Sequence, residues 1–162
     1  MKLNRFAVLA VATATLATSA TPQGLPTQKV LTIDLAQTIA QEAMAKCRAD
    51  GFKVTVTVVD SANLLKAFLR DDGAPMATVE LGRMKTNSVM AFGRPSGPPA
   101  NLPPGTPAPP PLVPGTTNLM GGLPIKVGDQ LIGAVSISGA PGGDKDAACG
   151  TAALAKVADQ LK

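Results

Sequence analysis

The sequence predicts one α/β domain of the α+β kind, in which helices cover a mostly antiparallel sheet. Three segments repeat apolar residues at helical spacing, and four short segments rich in β-branched residues form two candidate hairpins. Their order along the chain is helix, hairpin, helix, loop, hairpin, helix. Strands joined by short turns pair antiparallel, and 162 residues are enough for one domain.

The first helix and the first hairpin are predicted from a change of period. Thr32 is a suitable N-cap, apolar residues then recur every four positions, and Gly51 stops the helix. From residue 53 the pattern alternates between valine and threonine, which is typical of a strand. Residues 53–60 and 64–70 are therefore predicted to form a hairpin around the polar turn between them.

The second half repeats this scheme. A helix is predicted over 77–92, a hairpin over 123–127 and 131–138, and a last helix from the N-cap Asp144 to about Leu161. We expect the helix over 77–92 to bury its large apolar side chains and to turn Arg83 and Lys85 to the more exposed side. Its candidate buried positions are Val79, Leu81, Met84, Val89 and Phe92.

The N-terminal residues have the organisation of a signal peptide. Lys2 and Arg5 form a basic n-region, residues 6–17 are apolar, and 18–20 offer small residues for cleavage. We therefore predict a signal peptide at 1–20 and a mature domain over 30–162 that is periplasmic or secreted and is not held in a membrane. A retained N-terminal anchor or a disordered tail is the alternative.

Composition argues against a nucleic-acid partner. The chain has no Trp or Tyr and only four Phe, so it offers few aromatic platforms for stacking bases. Its formal charge of +4 falls to +2 once Lys2 and Arg5 are removed with the signal peptide. A charge this small provides no electrostatic attraction to a phosphate backbone.

Two cysteines, Cys47 and Cys149, lie in separate predicted helices. In an oxidising compartment they can form one disulfide, provided that the two helices pack side by side. We expect two buried free thiols slightly in preference to this bridge. Because neither cysteine belongs to a CxxC pair, a zinc site is not predicted.

Residues 93–115 form a proline-rich loop with ten prolines, which excludes a helix or a central strand there. We expect part of it to run as polyproline II over the surface. A loop of this length inside a compact domain is a functional flap, a subunit contact or a disordered insert.

Three stretches of the chain resemble the haem-degrading (GlcG/HbpS-like) family. The first joins residues 31–36 to 53–60, the second is 92–97, and the third joins 121–125 to 132–146. The third is the most specific, because its glycines, proline and aspartates follow the family's order. The resemblance covers residues 30–162.

This resemblance implies a GlcG-like or profilin-like fold, with a five-stranded, mostly antiparallel sheet flanked by helices, and assembly into a homo-oligomer. It also implies haem as a cofactor or small-molecule ligand, although members of the family differ in function. The chain departs from the family in having no histidine to bind haem iron. Met76 stands where a histidine is expected.

The turn after the last predicted strand is the best candidate ligand site. Free amides at 139–144 and the positive end of the following helix favour an anion, either a haem propionate or the carboxylate of a small acid. A tight turn that needs glycine for its backbone angles explains the same residues equally well. The candidate ligand-binding residues are Gly139, Gly142, Gly143 and Asp144, with Arg83, Lys85 and Arg94 as partners for propionates or as ordinary solvated charges.

Met76 is the candidate axial ligand of a haem iron, although methionine more often fills a core. Catalysis is left open, because the chain has no histidine for a triad. Asp60, Asp72, Glu80 or Lys85 could act as an acid–base group, although Glu80 could instead simply pair with Arg83 on the same helix. The predicted function is a secreted haem-binding or haem-degrading-type protein. The alternative is an enzyme that catalyses a proton transfer or dehydration on a small organic acid whose carboxylate binds at 139–144.

Overall fold

The computed structural model describes residues 24–25, 27–98, 103, 105 and 113–162. The signal peptide predicted at 1–20 and most of the proline-rich loop lie outside the described residues. Among the residues that are described, no helix is both long and apolar enough to cross a bilayer. The elements follow the predicted order of helix, hairpin, helix, hairpin and helix.

Three α-helices and four strands build the fold, and nearly every predicted boundary is correct within two residues. The exception is the last helix, which ends early and continues as a short 3-10 turn, Ala158–Gln160. The helices are α1 (Ile33–Ala49), α2 (Ala77–Phe92) and α3 (Gly143–Lys156). The strands are β1 (Thr55–Asp60), β2 (Leu65–Arg70), β3 (Gly122–Val127) and β4 (Gln130–Ser138).

The two predicted N-caps have different outcomes. Thr32 caps α1, and its hydroxyl accepts a hydrogen bond from the Leu35 amide at 3.3 Å. Asp144 was expected to cap α3, and this prediction is wrong. The N-cap is Gly142, whose carbonyl accepts the amides of Lys145 and Asp146, and the helix starts at Gly143. Asp144 therefore lies in the first turn, where its charge still favours the helix dipole.

The sheet has the order β2-β1-β4-β3, and every neighbouring pair is antiparallel. The expectation of five strands is wrong for the described residues, which contain four. Only four segments of the sequence alternate as strands do, and the fifth strand was implied by the family resemblance alone. Residues 27–32, which lead into α1, form no strand. Strands β2 and β3 are therefore the edges of the sheet.

Helices α1 and α3 pack on one face of the sheet and enclose the main apolar core, which includes Val56, Val135 and Ile137. These two helices lie side by side, and Cys47 and Cys149 form a disulfide between them with a Cα–Cα distance of 5.5 Å. The preference for free thiols is therefore wrong. The condition set for the bridge, adjacent helices, is met.

Helix α2 packs on the opposite face, and that layer is polar. The predicted burial of α2 is largely wrong: of its five candidate core residues only Val89 is buried, and Lys85 is 2% exposed. The reason lies in the sheet, which presents hydroxyls to α2, so the helix turns its small and polar side inward. The buried hydroxyl-bearing residues of this layer are Thr55, Thr57, Ser136 and Ser138 on the sheet and Thr78, Thr86 and Ser88 on α2.

Candidate functional site

A cavity of about 400 Å³ lies between α2 and the β1–β2 hairpin, and we call it the groove. It exists because α2 packs over β1, β3 and β4, which leaves the outer part of the edge strand β2 as an open wall. The groove is lined by Thr57, Val59, Asn63, Leu64, Leu65, Phe68, Val79, Glu80, Arg83, Thr86 and Asn87.

The walls of the groove are apolar and face solvent. Leu64 and Leu65 are 64% and 63% exposed, and Phe68 is 40% exposed. Val79 forms part of the wall on the α2 side. It is exposed because α2 buries its small and polar residues and turns apolar ones toward solvent. A cluster of exposed large apolar side chains around a cavity is typical of a site that binds a ligand or a partner.

One end of the groove is closed by two asparagines. Asn63 has a left-handed backbone (φ 60°) in the β1–β2 turn, and its Nδ2 donates to Asn87 Oδ1 at 2.9 Å. Asn87 Nδ2 in turn donates to the Gly115 carbonyl at 3.0 Å. The hairpin, α2 and the last residue of the proline-rich loop are therefore joined at this end.

The lip of the groove carries two charged side chains from α2. Arg83 and Glu80 are both exposed and both line the cavity. The alternative that they pair with each other is not seen, and neither side chain makes an ion pair or a hydrogen bond within the described structure. Arg83 is therefore free to bind an anionic group of a ligand.

Thr57 belongs to the lining of the groove, and its hydroxyl is buried beneath it. The residue is 4% exposed, and its Oγ1 has no hydrogen-bond partner. The backbone of Gly82 on α2 lies against it, so close that a Cβ at residue 82 would be 2.8 Å from Oγ1. Glycine at 82 therefore lets α2 approach the sheet at this point.

The predicted anion-binding turn binds a carboxylate of the protein itself. The amide of Ala140 donates a hydrogen bond to Asp146 Oδ1 at 2.9 Å. The other carboxylate oxygen accepts from Lys85 Nζ at 2.7 Å, and Lys85 also donates to the Ile137 carbonyl at 2.7 Å. The chain thus supplies both the anion and its counter-ion at this turn.

A smaller cavity of about 230 Å³ adjoins this turn and the buried ion pair. Burial is the largest influence on both charged groups: it lowers the pKa of Lys85 and raises the pKa of Asp146, while their mutual hydrogen bond acts in the opposite direction. Ser138 also lines this cavity and is 2% exposed. The arrangement is an amine and an acid held at 2.7 Å beside a small cavity.

Comparison with known proteins decides the family. Residues 31–155 match the family model for the haem-degrading protein HbpS-like family. This chain belongs to the HbpS-like haem-degrading family. No match was found among curated proteins.

Solved structures agree with this membership. A crystal structure of HbpS has 27% identity, covers 86% of this chain and 99% of its own, and superposes with a TM-score of 0.72. A double mutant of HbpS from Streptomyces reticuli has 25% identity over 88% of this chain and 98% of its own, with a TM-score of 0.70. The crystallised PduOC–haem complex shares the fold at 20% identity, with a TM-score of 0.66 over 78% of this chain and 94% of its own.

The structure divides the predicted site residues of this HbpS-like domain between different places. Lys85, Gly139 and Gly143 meet at the smaller cavity. Arg83, only two positions from Lys85, points to the other side of α2 and lines the groove. Gly142 caps α3, and Asp144 is exposed in its first turn; neither lines a cavity described here.

Arg94 and Met76 lie apart from both cavities. Arg94 donates to the carbonyls of Pro95 and Gly97, and its guanidinium lies 5.6 Å from the centre of the Phe92 ring. Met76 is 85% exposed and directly precedes α2 in helical conformation. It stands one turn before Val79 and Glu80, so it extends the helix face that lines the groove.

Sequence reasoning missed the groove and its orphan hydroxyl. The available signal was the pairing of polar positions: Thr57 lies opposite Ser136, and Thr55 opposite Ser138, in the β1–β4 register. Alternating hydroxyl residues in two strands predict a polar sheet face, and a helix covering it must turn its own polar side inward. In the described ranges no group of three or more His, Cys, Asp or Glu side chains is placed to hold a metal ion.

Proposed function

We propose that this protein is a secreted haem-binding protein whose groove holds the porphyrin. The observation that carries the proposal is the groove itself, a largely apolar cavity of about 400 Å³ with an arginine at its lip that pairs with none of the described residues. Cofactor pockets of this kind are mostly apolar with a few placed polar groups. Membership of the HbpS-like family and the fold shared with the PduOC–haem complex support haem as the ligand.

The groove suits both chemical parts of haem. The flat apolar macrocycle would lie between Phe68 and Leu65 on the hairpin side and Val79 on α2. Arg83 would bind a propionate, because a guanidinium matches the geometry of a carboxylate. Haem, once bound, supplies the iron and redox chemistry on which haem breakdown depends; the residues of this chain bind it, orient it and exclude water from its faces.

The iron ligand is proposed to be Met76. The chain has no histidine, both cysteines are in the disulfide, and the groove lining contains no methionine. Met76 is the methionine that continues the groove-lining face of α2, and its exposure leaves the thioether free to reach the mouth. A thioether ligand is known chemistry for haem iron.

Secretion and self-assembly are part of the proposal. The Cys47–Cys149 disulfide supports an oxidising compartment, since such bonds persist outside the cytosol. The predicted signal peptide at 1–20 supports the same location, periplasmic or extracellular. Exposed Leu64 and Leu65 at the mouth of the groove support a homo-oligomer in which a second copy covers them.

Titration with haemin, followed through the Soret band, tests this function. We expect a saturable shift at one haem per chain, and loss of the thioether-type spectrum in Met76→Ala. Met120→Ala is the control, because Met120 is also solvent-exposed, at 42%, but lines the smaller cavity. A wild-type spectrum in Met76→Ala would remove Met76 as the ligand, and no shift with the wild-type protein would overturn haem binding.

A second candidate function is an enzyme acting on a small organic acid. The observation that favours it is the buried Lys85–Asp146 pair beside the cavity of about 230 Å³, an amine and an acid held ready for proton transfer. The turn amides bind Asp146 and so do not support the expected carboxylate site at 139–144. Deuterium exchange at C3 of small 2-oxo acids, the carbon next to the ketone, should then require Lys85 and is followed by NMR; exchange retained in Lys85→Met would exclude this role.

A further inference from the structure

We infer that the smaller cavity is a second ligand site, in which the Ser138 hydroxyl donates a hydrogen bond to the carbonyl oxygen of a small neutral ketone or aldehyde. This inference goes beyond both proposed functions, since it requires neither haem in the groove nor proton transfer by Lys85. It starts from Ser138, which ends β4, is 2% exposed and lines the cavity. Its hydroxyl makes no hydrogen bond with any residue that the structure describes.

The Ser138 hydroxyl reaches solvent although the residue as a whole is buried. In the part of the chain that the structure describes, two buried side-chain atoms are both unpaired and sealed from solvent, Thr57 Oγ1 and Asp71 Oδ2. Ser138 Oγ is unpaired but is not one of these sealed atoms, so part of its surface is accessible. Since Ser138 is otherwise buried and lines the smaller cavity, this accessible oxygen faces the cavity.

Neighbouring hydroxyls of the same polar layer are already bonded. Thr55, opposite Ser138 on β1, shares a hydrogen bond with Thr78 at 2.7 Å. Ser136, two residues earlier on β4, donates to the Gly82 carbonyl at 2.7 Å. Native proteins rarely leave a buried hydroxyl without a partner, so an unpaired hydroxyl that faces a cavity is where a water molecule or a ligand binds.

The mouth of the smaller cavity favours a ligand with an apolar body over water alone. Leu119 and Met120 line the cavity and are 50% and 42% exposed, and Leu81 adds a third apolar side chain from α2. A ligand that covers these side chains removes apolar area from water, which water molecules in the cavity do not. The volume of about 230 Å³ corresponds to roughly eight water molecules, which suits a ligand of about five to seven heavy atoms.

The polar groups that line the cavity define the class of ligand. Lys85 and Asp146 neutralise each other, and no other charged side chain lines the cavity, so a neutral ligand is favoured over an ion. Both oxygens of Asp146 already accept a hydrogen bond, one from Ala140 and one from Lys85. Lys85 uses two of its three donors, on Asp146 and the Ile137 carbonyl. The lining therefore has more free donors than free acceptors, and the ligand group that complements it is a carbonyl oxygen.

Titration with 2-pentanone, a neutral five-carbon ketone, tests the inference on the wild-type protein and on Ser138→Ala. We expect saturable shifts of the Gly139 and Gly143 amide signals in proton–nitrogen correlation spectra, with a Kd of about 1–10 mM, as a ligand of this size allows. Ser138→Ala should weaken the affinity by about fivefold, the usual effect of losing one neutral hydrogen bond. Because the hydroxyl has no partner among the described residues, Tm should change by no more than about 2 °C.

Matched variants separate a ligand contact from a structural role. Ser136→Ala removes a hydroxyl of the same strand that is bonded inside the protein and is not part of the cavity lining, so it should lower Tm and leave the ketone affinity unchanged. Leu119→Ser changes a half-exposed side chain at the mouth, so it should weaken ketone binding without lowering Tm. 2-Oxopentanoate, in which a carboxylate replaces one methyl group of the ketone, should bind more weakly than 2-pentanone.

Each other outcome overturns a defined part. Equal ketone affinity in wild type and Ser138→Ala, or a fall in Tm of Ser138→Ala as large as that of Ser136→Ala, would overturn the contact with the hydroxyl. Tighter binding of 2-oxopentanoate would overturn the neutral class of ligand and support the enzyme acting on a small organic acid. A lack of saturable shifts up to about 50 mM ketone would overturn the site itself, while haem binding in the groove is decided separately by the haemin titration.

Discussion

The groove and the glycine turn both lie beside α2, yet their polar groups are satisfied in opposite ways. At the turn the chain provides its own anion: Asp146 accepts a hydrogen bond from the Ala140 amide and pairs with Lys85. In the groove, Arg83 and the buried hydroxyl of Thr57 have no partner among the residues that the structure describes. The turn is therefore complete without a ligand, and the groove is not.

This difference shows where a binding site is to be expected. A glycine-rich turn before a helix offers amides to an anion, but the first carboxylate within reach can be the protein's own. Unsatisfied polar atoms beside exposed apolar side chains have no such internal explanation. The predictions that follow test whether the turn is structural and the groove functional.

The largest expected effect is at the turn. Lys85→Met removes one partner of a buried pair and should lower the free energy of unfolding by about 3–5 kcal/mol near neutral pH, measured by urea denaturation. Arg83→Met, two residues away in the groove, should change it by no more than about 0.5 kcal/mol. Lys85→Met/Asp146→Asn should recover part of the loss. Equal stability of the two single variants would contradict a structural turn.

The same variant has a predictable pH dependence. Lys85 lowers the pKa of Asp146 and burial raises it, so removing Lys85 should raise that pKa further. A raised pKa in the folded state contributes stability below the unfolded value, and this stability is lost as pH rises through the folded pKa. The deficit of Lys85→Met should therefore shrink as the pH is lowered from neutral. A deficit independent of pH would show that Asp146 does not titrate there.

A smaller effect is expected next to the turn, at Gly121. Its φ of 119° is unfavourable for other residues, and a Cβ would lie 2.6 Å from the Ile137 carbonyl and 2.8 Å from Lys85 Nζ. Gly121→Ala should destabilise by about 2–3 kcal/mol in thermal or urea unfolding. Gly73→Ala is the control, because Gly73 has φ 81° with open space around it. This variant measures only the cost of placing alanine at a positive φ. Equal losses of stability in the two variants would mean that the structure around the ion pair relaxes to accommodate the added methyl group.

The smallest effect on stability, combined with an effect on binding, is expected in the groove. Leu65→Ser changes a side chain that is 63% exposed, so unfolding should change by no more than about 0.5 kcal/mol. Haemin affinity should fall by up to about tenfold, because apolar area that the ligand covers is lost. Leu25→Ser, at a residue that is 93% exposed and outside the groove, should affect neither property. Unchanged haemin affinity in Leu65→Ser would place the ligand elsewhere.

The fold could be predicted from the sequence because its signals are local. The threonine cap at 32, the Val/Thr alternation of β1 and the apolar run of β4 each define one element without reference to the others. The burial of α2 could not be predicted in this way. Its large apolar residues indicate an inward face, but the polar sheet surface beneath it decides otherwise, and that surface arises only when β1 and β4 pair.

The site was predicted in part for the same reason. Arg83 and Lys85 are two positions apart, and the sequence alone does not say that one reaches the groove and the other the ion pair. Asp146 was visible as part of the motif after β4, but its role as the anion of the turn depends on Lys85, 61 residues earlier. That the Thr57 hydroxyl lacks a hydrogen-bond partner depends on how its neighbours are already bonded, and only the three-dimensional structure shows this.

The disulfide has a consequence for what a protease would leave behind. Cys47 and Cys149 are 102 positions apart, and the proline-rich segment lies between them. A single cut in that segment yields two pieces that stay covalently joined and migrate as one band until a reductant is added. All residues that line the groove, 57 to 87, remain on the N-terminal piece. The nicked molecule thus keeps its ligand-binding half tethered to the half that carries α3.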